Sequence, residues 1–130
     1  MTARLLVVVP RGGTRRLVSG PGFDVVREED LTKCHSAREV AAVRGAPFVT
    51  ISPVAPTISK PGYGPALGVD GVRAAVEAAG PMPVFALGGV TPANARSFLD
   101  VGAYGVAVMG PVLRSVDPMD VVASYLAVLS

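Results

Sequence analysis

Three continuous apolar runs constrain this chain most. They are Phe48 to Ile51, Pro83 to Leu87, and Tyr104-Gly105-Val106-Ala107-Val108-Met109. None alternates polar with apolar positions, so each fits a strand covered on both faces. Helical patterns separate them. Asp70 is placed to cap a helix with Val72, Ala75, Val76 and Ala79 on its apolar stripe, ending at Gly80. Thr91 caps another, with Pro92 at its first position, Phe98 and Leu99 facing inward, and Gly102 as its stop. Asp117 and Pro118 open the last, whose stripe is Val122, Ala123, Leu126 and Leu129. An earlier helix begins at Ser36, where Glu39 completes a Ser-x-x-Glu capping box, and ends at Gly45. Strands alternating with helices imply parallel βαβ units.

The N-terminal third is less regular. Leu5 to Val9, Phe23 to Val26 and Leu31 to Cys34 are strand candidates, which brings the count to about six. Glycines and Pro21 between them mark loops. The 130 residues support one domain over residues 1–130 with a sizeable core. Half the residues are hydrophobic and 17% are charged, a globular and rather apolar balance. The net charge is +2, Arg15-Arg16 is the only adjacent basic pair, and Trp is absent. No basic face with stacking aromatics is visible, so no nucleic-acid partner is expected. Cys34 is the single cysteine, which rules out an intrachain disulfide. No run approaches membrane-spanning length, and Leu5 to Val9 is too short for a signal-peptide core. No membrane contact and a cytoplasmic location are the expectations.

In parallel β/α folds, sites gather at the carboxyl ends of the strands. Ser52 to Gly62 leaves the end of one strand carrying Thr57, Ser59 and Lys60, stiffened by three prolines and a glycine. Two hydroxyls and a mobile cation suit a phosphate or pyrophosphate, which needs several donors and a point charge. A polar turn is the plain alternative. Gly88-Gly89 and Met109-Gly110 close two later strands, where backbone amides can approach an anion. Taken alone, the glycine pair is equally a tight turn. His35 is the only histidine. It is either a proton carrier near neutral pH or an imidazole bonded to backbone. Strand periodicity points Cys34 to the opposite face, as a small core residue. Asp24, Glu28, Glu29 and Asp30 form an acidic cluster that is either a Mg²⁺ site or a solvated loop.

From about Lys33 onward, roughly three quarters of the chain, the residues resemble thiamine phosphate synthase and its relative TenI, the thiazole tautomerase. The matching words are Cys34-His35-Ser36-x-x-Glu39, Pro56-Thr57-x-Ser59-Lys60-Pro61-Gly62, Ala86-Leu87-Gly88-Gly89-Val90 and Gly105-Val106-Ala107-Val108-Met109. Their order and spacing together are specific. The resemblance implies a TIM-barrel ancestry and a transferase that joins hydroxymethylpyrimidine pyrophosphate to thiazole phosphate with Mg²⁺ assistance. It implies that Thr57, Ser59 and Lys60 bind the pyrophosphate, and that Gly88, Gly89, Met109 and Gly110 cradle the thiazole phosphate. It makes His35 and Lys60 the catalytic candidates and Asp30 a retained metal ligand. A tautomerase using His35, or a noncatalytic phosphate-binding remnant, are the other readings.

The resemblance also marks departures. The family's first βαβα segment has no counterpart. Val9-Pro10-Arg11 stands where a metal-site Asn-Asp-Arg is expected, and Lys33 stands where a serine usually precedes the histidine word. TIM barrels commonly need roughly 200 residues or more. The expected fold is therefore α/β, a partial (β/α)8 barrel of about six parallel strands. Its two open edges favour a homo-oligomer.

Overall fold

A computed structural model describes residues 3–12, 17–56 and 65–129. Among them, six parallel strands form one sheet: β1 (Leu5–Val9), β2 (Phe23–Arg27), β3 (Lys33–Cys34), β4 (Val49–Ile51), β5 (Val84–Leu87) and β6 (Gly105–Val108). Their order across the sheet is β2-β1-β6-β5-β4-β3. This is the cyclic order of a barrel, broken between β2 and β3. The break follows from chain length. A parallel crossover needs about a dozen residues or more. Residues 28–32 alone join β2 to β3, through a 3-10 turn at Glu28–Asp30. The two strands become the edges of a partial TIM-barrel-like sheet.

The helices among the described residues are α1 (Ala37–Ala42), α2 (Gly68–Ala79), α3 (Ala95–Asp100), α4 (Gly110–Leu113) and α5 (Pro118–Leu129). Alternation along the strands sorts the core into two faces. Leu5, Val7, Val49, Ile51, Ala86, Val106 and Val108 pack with Val40, Val72, Phe98, Val122 and Tyr125 of the helices. Leu6, Val8, Phe85 and Ala107 cluster on the inner face. There Phe85 meets Phe48 and Tyr104 with ring centroids 5.3 and 5.5 Å away.

Two caps fall where the pattern puts them. The Ser36 hydroxyl accepts from the Glu39 amide at 3.1 Å, and Asp117 accepts from the Asp120 amide at 3.2 Å. Two helix starts differ. α2 begins at Gly68, two residues before Asp70, because the Leu67 and Gly68 amides donate to the carbonyls of Pro53 and Val54. Asp70 pairs with Arg73 instead of capping. α3 begins at Ala95, after a turn closed by Thr91 and Asn94. The short helix α4 lies where the sequence reading has only the end of a strand.

Thr50 is wholly buried in β4, in register with Phe85, and its hydroxyl finds no partner among the described residues. A buried, unbonded hydroxyl costs about 1–3 kcal/mol. Thr50→Val keeps the shape and removes that cost. It should raise stability to urea by about 1 kcal/mol. A comparable loss would show that the hydroxyl has a partner.

Candidate functional site

A cleft of about 640 Å³ opens at the carboxyl ends of the strands. Glu28, Lys33 and His35 line it from the β2–β3 side. Ser52, Pro53 and Pro56 follow β4, Gly88 to Thr91 follow β5, and Met109, Gly110 and Arg114 follow β6. Of the residues the sequence singles out, His35, Gly88, Gly89, Met109 and Gly110 are brought together here. Thr57, Ser59 and Lys60 lie outside the described residues, although Pro56, just before them, lines the cleft.

The loop after β5 is held from three sides. The amides of Val54 and Ala55 donate to the Gly88 carbonyl at 3.2 and 3.0 Å. Asn94 Nδ2 donates to the Gly89 carbonyl at 3.0 Å. The Tyr125 hydroxyl, buried under α5, donates to the Val90 carbonyl at 2.7 Å. These bonds engage carbonyls, so the peptide oxygens of the loop are tied back into the protein. Burial pushes the Tyr125 phenol up, and the Arg114 guanidinium nearby pulls it the other way.

Gly88 and Gly89 take left-handed backbone, with φ of 92° and 80°. A Cβ on Gly88 would stand 2.9 Å from Cα of Pro53, and one on Gly89 would run into the Ala55 carbonyl. Contact with the β4 loop therefore demands glycine at both positions, before any ligand is considered. A bulky side chain at Gly89 breaks the loop as well as filling the cleft.

His35 Nδ1 lies 3.3 Å from Glu39 Oε1, one turn along α1. The capping-box glutamate thus reaches the imidazole. Cys34 is buried on the opposite face, as strand periodicity requires, and desolvation with the nearby Glu39 charge raises its thiol. Lys33 departs from the family word and has a partner: its Nζ is 2.6 Å from Glu28 Oε2. The pair ties the turn after β2 to the first residue of β3.

Asp30 is exposed on the 3-10 turn and does not line this cleft. Glu28 beside it is held by Lys33, and Glu29 pairs with Arg27 at 3.8 Å. No group of three His, Cys, Asp or Glu that could hold a metal occurs among the described residues. The described donors do not fit the expected Mg²⁺ site. A second cleft, lined by Arg11, Ser19, Arg27 and Glu29, lies at the ends of β1 and β2. Among the described residues, no helix is long and apolar enough to cross a membrane.

An open parallel barrel with a glycine-lined cleft over its late strands defines a β/α-barrel protein with a candidate anion site. The chain belongs to the thiamine monophosphate synthase family, whose model matches residues 32–112. It is 43% identical over 90 residues to a thiamine-phosphate synthase of Salinispora tropica, covering 69% of this chain and 43% of that protein. A putative thiamine-phosphate synthase of Geobacter sulfurreducens is 40% identical over 98 residues, covering 74% and 46%. The solved thiamine phosphate pyrophosphorylase of Pyrococcus furiosus superposes with a TM-score of 0.61 at 26% identity, over 84% of this chain and 50% of that one. The chain spans about half the length of these relatives.

The glycine contacts are testable by stability. Gly89 and Gly45 share a left-handed φ, 80° and 76°, but nothing lies within 4 Å of a Cβ on Gly45. Each substitution to Ala carries a left-handed backbone cost of roughly 1–2 kcal/mol. Gly89→Ala should lose a further ~1–3 kcal/mol in chemical denaturation, for the overlap with Ala55. Equal losses would contradict the contact.

Proposed function

We propose that this chain acts in thiamine phosphate synthesis, as a transferase joining hydroxymethylpyrimidine pyrophosphate to thiazole phosphate. The observation that carries the reading is the cleft itself. In a chain of this family, His35 and the glycines after β5 and β6 converge on one opening. The thiazole phosphate lies against Gly88, Gly89, Met109 and Gly110. The amide of Gly110 opens α4 and has no acceptor within its own helix, which suits a bound anion. The pyrophosphate lies toward the β4 loop, where Pro56 leads to Thr57, Ser59 and Lys60.

As the C–O bond to the pyrimidine breaks, charge gathers on the departing pyrophosphate. Positioned donors and the Lys60 ammonium stabilise that charge more than they stabilise the bound substrate. His35, oriented by Glu39, stands ready to exchange a proton at the cleft. No step is assigned to a metal. The same His35–Glu39 contact supports a second reading, a tautomerase that moves a proton on the thiazole.

The test is thiamine phosphate formation by the purified chain from both substrates, in a magnesium-containing buffer. The transferase reading expects turnover, and Lys60→Ala should lower the rate by roughly a hundredfold or more, on the scale of one lost charge-stabilising donor. Turnover that survives Lys60→Ala overturns it. Tautomerase activity abolished by His35→Asn and little changed by Lys60→Ala favours the second reading. Absence of both activities makes the chain a phosphate-binding remnant.

We also propose that the chain self-associates. Among the described residues the sheet ends in β2 and β3 with unpaired edges, which invite another strand. Light scattering should give a mass above 13.2 kDa. A monomer at millimolar concentration would contradict this.

A further inference from the structure

We infer that Arg114 is a phosphate ligand of this cleft, a charged clamp for the terminal phosphoryl group of a phosphate monoester. The inference rests on the anion site proposed above and adds a residue to it. Backbone amides after β5 and β6 are neutral donors. A phosphate monoester brings close to two negative charges, so its site also needs a cation. Lys33 lines the cleft from β3, three strands from β6, roughly 14 Å away at the usual strand spacing. Arg114 lines the cleft at the β6 end.

The short helix α4 sets its position. Arg114 follows Gly110 by one turn, and its amide donates to the Gly110 carbonyl at 2.9 Å. Helical side chains lean back over the preceding turn. The guanidinium accordingly covers Gly110, where a Cβ would stand 3.0 Å from Cζ of Arg114 and overlap Nη1. The absent side chain at Gly110 is what lets the guanidinium lie against the backbone that meets the anion. A planar fork there can hold two phosphoryl oxygens, which a lysine cannot.

The experiment is calorimetric titration of inorganic phosphate into the whole chain at low ionic strength, with thermal unfolding recorded for each variant. Arg114→Gln should weaken phosphate roughly tenfold or more, the scale of a charged hydrogen-bonded contact. Arg114→Lys should recover only part of the affinity. Gly110→Ala keeps the amide and the Arg114 charge but displaces the guanidinium, and should weaken binding at unchanged stability. Gly110 has no left-handed φ to be strained, and the displaced group is a flexible side-chain end. Arg73→Gln, an exposed arginine on α2, should leave binding as it was. Parent affinity in Arg114→Gln, or full recovery in Arg114→Lys, overturns the assignment while leaving the amide cradle in place. A parent chain that takes up no phosphate overturns both.

Discussion

Everything at the candidate site depends on how the Gly88–Val90 loop is held against the loop after β4. Ala55 and Val54 donate to the Gly88 carbonyl, and the Ala55 carbonyl sits where a Gly89 side chain would be. The approach is closer than any residue with a Cβ allows. Tyr125 and Asn94 then fix the next two carbonyls from α5 and from the turn before α3. Three segments distant in sequence, residues 54–55, 88–94 and 125, thus meet at three peptide groups. The same β4 loop also starts α2, through the carbonyls of Pro53 and Val54. A change there reaches the cleft and the helix layer together.

The second constraint is the short link between β2 and β3. A parallel sheet closes only through long crossovers, and residues 28–32 are too few for one. Among the described residues the barrel order therefore stops at two edges, and the Lys33–Glu28 ion pair ties the turn after β2 to the first residue of β3. Two departures from the family pattern meet at this break: a lysine in place of serine and a shortened crossover. The cleft opens away from this break, with His35 and the loops after β4, β5 and β6 around it.

The strands were legible because their apolar runs are continuous, and the Ser36 and Asp117 caps because their partners are local. His35, Gly88, Gly89, Met109 and Gly110 could be placed together because strand ends in this architecture share one side. The start of α2 was not legible: Asp70 looks like a cap, yet the acceptors that fix the helix lie in the β4 loop. Helix α4 is too short to show a period, and Gly110-Pro111 reads as a turn, so Arg114 went unnoticed. Tyr125 reads as one more core aromatic, since its acceptor at Val90 is 35 residues away. Asp30 lies on an exposed turn outside this cleft, a placement that a local acidic word does not reveal.

The central proposal is that the thiazole phosphate binds between the β5 and β6 loops and not at the second cleft, over β1 and β2. Phosphate titration of the isotope-labelled chain, followed residue by residue through backbone amide NMR shifts, tests it most directly. The account predicts saturable shifts centred on Gly89, Val90 and Gly110, with Gly12 and Arg27 unmoved. Shifts centred instead on Arg11, Gly12 and Arg27, at the second cleft, with the Gly89 and Gly110 amides silent, would contradict it.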